Sequence, residues 1–255
     1  MTGGPEKQSE TEKDGILEAM NQSSLKALLA QNVEAVQRRI EAACRRAGRP
    51  STEVTLVAVT KTVQPEVAGL LPSLGLADLG ESRPQELWRK AAALPATVSW
   101  HLIGHLQRNK IARTLPLVHC IHSVDSVRLL DALEQEAAKI DRTVPIFLEV
   151  NASGEANKHG FTPAQATGLA ARIKALRHLD VLGLMTMAAF EESPASARPT
   201  FAALRALRDR LRESLQAPRS LPHLSMGMSN DFEVAIEEGA TFVRIGTALF
   251  EGLPG

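Results

Sequence analysis

Eight short apolar runs, each opening into a polar or glycine-bearing loop, recur along the 255 residues: VTLVAV from Val54, ADLG from Ala77, VSWHLI from Val98, LVHCI from Leu117, VPIFLEV from Val144, DVLGLM from Asp180, PHLSM from Pro222 and TFVRI from Thr241. Between them lie helical patterns at Pro65 to Leu71, Pro84 to Ala93, Leu106 to Thr114, Ser126 to Lys139, Pro163 to Leu176, Ala197 to Leu215 and Asp231 to Glu238, several opened by Ser, Thr, Asp or Pro start signals. Strands buried on both faces and joined by crossover helices make a parallel sheet.

Eight such strands in about 200 residues fit a closed α/β cylinder, a single (β/α)8 TIM barrel. An earlier helix from Leu25 to Ala47, apolar at Leu28, Val33, Val36, Ile40 and Ala43 and ending on Arg45, Arg46 and Gly48, supplies the missing eighth member of the outer ring. A doubly wound open sheet competes with this fold, because the second run is short and weakly bounded. Residues 1–23 are polar and poor in β-branched and aromatic side chains, which predicts a flexible tail ahead of one barrel domain spanning 24–255.

Charge narrows the partners. The chain carries 29 basic and 29 acidic residues, so no net field draws it to nucleic acid or to an anionic membrane. No apolar stretch approaches the ~18 residues needed to span a bilayer and the amino end lacks an export pattern, which predicts a cytoplasmic protein. Cys44 and Cys120 stand far apart without CxxC spacing, the pattern of reduced thiols rather than a disulfide or zinc site.

In such a barrel the chemistry collects where strands end. The first run leads straight into Lys61. A lysine facing a pocket there is partly desolvated, which favours the neutral amine that attacks aldehydes, whereas one facing bulk water merely solvates the rim. The loops after the seventh and eighth strands are the usual phosphate sites of barrels, and they carry Ser229, Gly246 and Thr247. Gly246 allows close backbone approach to an anion, Thr247 adds a hydroxyl and Ser229 precedes a helix start; taken singly, each is also ordinary loop chemistry.

The segments VAVTKT, GESRPQEL, WHLIGHLQRNK, HSVDS, GLMTM and LSMGMSNDFEVAIEEGATFVRIGTALF resemble the pyridoxal phosphate homeostasis protein family, over roughly Val54 to Phe250. The resemblance implies the type III pyridoxal phosphate (PLP) fold, shared with the alanine racemase amino-terminal domain. It implies that Lys61 forms a Schiff base with the cofactor and that Ser229, Gly246 and Thr247 hold the phosphate. Arg244 would face the pyridine nitrogen, and Met226 would belong to the cofactor-binding set. An arginine donates only, so it would leave that nitrogen unprotonated and the ring a weaker electron sink. A structural alternative pairs Arg244 with a carboxylate such as Glu81.

The resemblance implies a carrier that buffers PLP for vitamin B6 and amino-acid homeostasis, with apoenzymes or B6-pathway enzymes as recipients. The alternative is a racemase, which on this scaffold takes its second proton-transfer group from a tyrosine of another domain. This chain contains no tyrosine and ends soon after the eighth strand. A lysine-dependent aldolase would use the same lysine and phosphate loops.

Other residues carry weaker signals. Ser82 stands where the family pattern leads one to expect asparagine. Lys110 and Lys158 lie in loops that read as solvated surface but could exchange cofactor. His101 and His105 have zinc-like spacing, but His101 falls in a strand and Gly104 intervenes, so no metal is expected. Asp125 reads as a helix cap. Met185, Met187, Met226 and Met228 could pack beneath a planar ring or fill core. Trp88 and Trp100 do not point to nucleic-acid stacking without a basic groove, and the helix from Arg198 to Arg212 reads as an exposed amphipathic outer helix.

Overall fold

The computed structural model describes residues 6–155, 159–188, 193–215 and 221–253, with side chains from Ser23 onward. In chain order the elements are α1 (Glu6–Arg46), β1 (Thr55–Val59), α2 (Pro65–Ala68), β2 (Asp78–Glu81), α3 (Pro84–Ala93), β3 (Ser99–Leu102), α4 (Ile111–Thr114), β4 (Cys120–Val124), α5 (Val127–Lys139), β5 (Val144–Glu149), α6 (Pro163–Thr167), α7 (Ala170–Ala175), β6 (Leu179–Met185), α8 (Arg198–Leu215), β7 (His223–Ser225), α9 (Phe232–Glu237) and β8 (Phe242–Ile245). Each strand pairs in parallel with its sequence neighbours, and β8 returns to β1 with Thr55 opposite Phe242 and Ala58 opposite Ile245. The sheet therefore has no free edge, which rules out the open doubly wound arrangement.

The outer ring follows the helical periodicity of the sequence. In α8 the buried positions are Phe201, Leu204, Leu207, Leu211 and Leu215, one face of an amphipathic helix. The segment expected as one helix over Pro163 to Leu176 breaks at Gly168 into α6 and α7, and α6 opens on a capping box between Thr162 and Gln165. Ser126 caps α5 by accepting from Leu129 N, so the expected capping role of Asp125 passes to its neighbour. Among the described residues no helix is long and apolar enough to cross a membrane.

Helix α1 begins at Glu6, ahead of the expected start at Leu25; residues 1–5 of the expected tail lie outside the described residues. Its buried stripe is Leu29, Val33, Val36, Ile40 and Ala43. Each large aliphatic side chain there contributes on the order of 2 kcal/mol when fully buried. The helix is also strapped to the end of the chain: Arg39 makes a two-pronged contact with Glu233 on α9 at 2.8 and 3.0 Å. Asn32 Nδ2 donates to the carbonyls of Leu249 and Glu251 at 3.0 and 2.9 Å. The amino-terminal helix thus completes the outer ring.

Inside the cylinder, rings from neighbouring and distant strands meet, and His122 on β4 reaches Phe242 of β8, directly across the barrel, with centroids 5.8 Å apart. His122 on β4 stacks on Phe147 of β5 with centroids 4.6 Å apart, and Phe147 meets Phe242 of β8 edge-on at 5.2 Å. Strands this far apart around the barrel can touch only through its interior, so the lumen is packed rather than open.

Candidate functional site

The carboxyl-terminal ends of the strands enclose a cavity of about 420 Å³, lined by residues from the loops after β1, β2, β3, β6, β7 and β8. Five of the six expected site residues border it: Lys61, Ser229, Arg244, Gly246 and Thr247. The sixth, Met226, does not. Its side chain is fully buried and its amide donates to Phe242 O at 3.1 Å, continuing the β7–β8 ladder into the core. Met228, two residues on, lines the cavity in its stead, as do Met187 and Ser82. Lys110 does not border the cavity, and Lys158 lies outside the described residues.

Lys61 is exposed at the cavity mouth, while the residue before it is fixed beneath. Thr60 is fully buried; its amide donates to Gly80 O at 2.9 Å and its hydroxyl to Glu81 Oε1 at 2.6 Å. Its carbonyl accepts from Lys90 Nζ at 2.6 Å. Lys90 also pairs with Glu81, so the carboxylate that could have partnered Arg244 is held by a buried lysine instead.

Ser229 joins the last two loops. Its Oγ accepts from Gly246 N and from Ala248 N, both at 3.3 Å. At Gly246 a Cβ would sit 3.1 Å from Val59 O, so the close approach of β1 and the β8 loop leaves little room for a side chain there. Gly227 is needed for another reason: its φ of +96° is left-handed, and a Cβ would lie 2.6 Å from that of Ala235. Asp231 accepts from Met228 N at 2.6 Å, closing the turn that presents Ser229 and Asn230.

Arg244 is 3% exposed, with Nη1 donating to Ser225 Oγ at 2.6 Å and Nη2 to Thr186 O at 2.9 Å. Burial lowers its pKa to about 10, against the pull of Glu149 and Asp231, so it stays cationic at neutral pH. Burial pushes the carboxyls of Glu149 and Asp231 up. Asp231 is the one carboxylate bordering the cavity among the described residues. The cavity thus offers a primary amine at its mouth, a buried guanidinium below and amides and hydroxyls on one wall. That donor set suits a small anionic ligand with an electrophilic carbon.

His101 and His105, paired by sequence spacing, belong to different clusters. His105 accompanies Asp125 and His159 at the rim, where their ligating atoms lie within 4.8 Å of one another and His105 Nδ1 is 2.9 Å from Asp125 Oδ2. His101 lies in the lumen near Cys120 and His122. All four ring nitrogens of His101 and His122 are engaged, by Asp78, by each other and by Ser225, which leaves no imidazole lone pair free for a metal. Sequence reading gave no sign of Asn230 and Asp231 beyond their adjacency to Ser229, and none of Ser225.

Residues 31–254 match the family model described as alanine racemase, N-terminal domain. A protein of Aquifex aeolicus named pyridoxal phosphate homeostasis protein is 45% identical over 216 residues, covering 84% of this chain and 94% of that protein. A human protein of the same name is 34% identical over 232 residues, covering 86% of this chain and 84% of that protein. The solved structure of PipY from Synechococcus elongatus with PLP bound superposes with a TM-score of 0.74 at 31% identity, covering 87% of this chain and 99% of that one. An alanine racemase from Corynebacterium glutamicum shares the fold, with a TM-score of 0.67 at 18% identity over 90% of this chain and 64% of that one.

Proposed function

The chain belongs to the pyridoxal phosphate homeostasis protein family, and on that premise we infer that it binds pyridoxal 5'-phosphate covalently at Lys61 and carries it without committing it to catalysis. The observation that carries this reading is the sharing of one cavity by Lys61, the Ser229–Gly246 junction and the buried Arg244. The residues fit the ligand on their own chemistry. When bound, PLP supplies an aldehyde that condenses with a primary amine, releasing one water, and a pyridine ring able to accept electrons.

Each protein group then has a distinct task. Lys61 provides the amine at the open edge, where a ligand can enter and leave. The backbone donors near Gly246, with the Thr247 and Ser229 hydroxyls, receive the phosphate. Arg244 would serve the ring nitrogen as a donor that keeps its proton at neutral pH, which would withhold the protonated nitrogen that strengthens the electron sink. With no tyrosine in the chain and an exposed Lys61, reversible loading is favoured over committed chemistry. The recipients would be apoenzymes that need PLP, or enzymes of vitamin B6 metabolism, in the cytoplasm.

An amino-acid racemase is the second reading, and Asp231 favours it as a carboxylate on the cavity wall. Exchange of the α-hydrogen of alanine in deuterium oxide separates the two: the carrier leaves it in place. The covalent claim is tested by loading with PLP, reducing with borohydride and mapping peptides by mass. The adduct should fall on Lys61 and vanish in Lys61→Ala; an adduct elsewhere, or none, overturns the reading.

A further inference from the structure

A continuous line of hydrogen bonds runs down the barrel interior from the cavity to the opposite end. Arg244 Nη1 donates to Ser225 Oγ at 2.6 Å, and Ser225 Oγ lies 2.7 Å from His122 Nδ1. His122 Nε2 lies 2.9 Å from His101 Nδ1, and His101 Nε2 lies 2.9 Å from Asp78 Oδ1. Arg244, Ser225, His122 and His101 are each at most 3% exposed, whereas the Asp78 side chain is 37% exposed. Asp78 opens β2, so it stands at the amino-terminal rim, across the barrel from Lys61.

With both rings neutral, the Asp78 end fixes the direction of every proton along the line. Arg244 can only donate, so Ser225 accepts from it and has one hydroxyl proton left to give. Given to His122 Nδ1, that proton leaves His122 as the Nε2–H tautomer, which donates to His101 Nδ1. His101 is then also Nε2–H and donates to the Asp78 carboxylate. With neutral rings and an ionised Asp78, the reverse polarity would place a bare His101 Nε2 against a carboxylate oxygen, two lone pairs facing each other at 2.9 Å. With both rings neutral, only the order from cation to anion closes. Burial holds His122 well below the usual histidine range, consistent with a neutral ring.

We propose that Ser225, His122, His101 and Asp78 form a one-way hydrogen-bond relay that holds the Arg244 guanidinium against the cofactor ring, making the two histidines positioning residues for PLP. The proposal rests on the reading that PLP occupies the cavity over Arg244. With Nη1 tied to the relay through Ser225 of β7 and Nη2 to the carbonyl of Thr186, just past β6, the guanidinium plane is held at two points whether or not the cavity is filled. The aligned dipoles also present negative ends toward a cation buried in a low-dielectric interior.

Two measurements decide it. In ligand-free wild-type protein, ¹⁵N–¹H correlation of the histidine rings should show His122 and His101 neutral and protonated at Nε2; a Nδ1–H tautomer or a charged ring at either position overturns the relay. In PLP-loaded protein, Ser225→Ala and His122→Phe should each weaken PLP binding about 10-fold and change the absorption spectrum of the bound cofactor. Ser225→Thr, which keeps the hydroxyl, should stay within roughly 2-fold of wild type. If wild type loads at Lys61 while both disrupting variants keep its affinity and spectrum, the positioning role fails and the carrier reading survives. If wild type itself takes up no PLP at Lys61, the carrier reading fails and the positioning role falls with it, whatever the tautomers.

Discussion

Lys90 Nζ lies 2.5 Å from Glu81 Oε1, and both side chains are 1% exposed. The pair sits under Thr60, whose carbonyl and hydroxyl it also engages, so it forms the floor on which Lys61 stands. Removing one partner strands a buried charge. Lys90→Met should lower unfolding free energy by about 3–5 kcal/mol, and adding Glu81→Leu should restore much of that loss. Urea titration of the single and double variants checks both the size and the recovery.

Gly227 and Gly48 both have left-handed backbones, at φ +96° and +66°, but only Gly227 is crowded. Gly227→Ala should cost roughly 2 kcal/mol or more through strain and collision with α9, against about 1 kcal/mol for Gly48→Ala, where a Cβ meets open space. Thermal melting of the two variants gives the ranking.

Ser229→Ala removes the acceptor shared by Gly246 N and Ala248 N. The loops lose their junction and one hydroxyl donor, and PLP affinity should fall about 10-fold with fold stability nearly unchanged. Fluorescence titration with PLP measures the first and a melt the second.

Burial holds His122 well below the usual histidine range and lowers His119 and His223 as well. The unfolded chain binds protons at these rings near pH ~6.5 and the folded chain does not, so stability should fall as pH drops between about 7.5 and 6. The buried His122 ring contributes at most about 1.4 kcal/mol per pH unit, and the exposed His119 and half-buried His223 contribute less because solvent screens them. Glu149 and Asp231, pushed up by burial, act with the opposite sign at lower pH, where the folded state binds the extra protons. Denaturant midpoints across that range should decline, less steeply in His122→Phe; a flat profile in wild type contradicts the account.

The polar segment 1–23 precedes Leu29, the first buried α1 position among the described side chains. A chain starting at Ser24 should melt within about 2 °C of the full one and load PLP equally well.

The elements were legible because each strand is a short apolar run and each helix a 3.6-residue stripe, and Lys61, Ser229 and Gly246 were legible because barrel chemistry collects at strand ends. Side-chain direction at those ends was not. Met226 turns into the core and Met228 faces the cavity, a difference set by how β7 ends at Ser225 and by the left-handed turn at Gly227. The Lys90–Glu81 pair and the relay joining Arg244, Ser225, His122, His101 and Asp78 escaped the sequence altogether. Their members come from different strands and a helix, and Ser225 and His122 are 103 positions apart, so no local spacing announces them. The histidine spacing that did stand out, His101 to His105, joins a lumen residue to a rim residue.

The strapping of α1 to the other end of the chain bears on biosynthesis. Asn32 waits for a carbonyl 217 positions downstream, a delay of roughly 10–40 s at translation speeds of ~5–20 residues per second. Throughout that interval the stripe of Leu29, Val33, Val36 and Ile40 leaves the ribosome without the surface it will cover. The nascent helix therefore carries an uncovered aliphatic face until its seat exists, and the cylinder can shut only once β8 has been translated to meet β1.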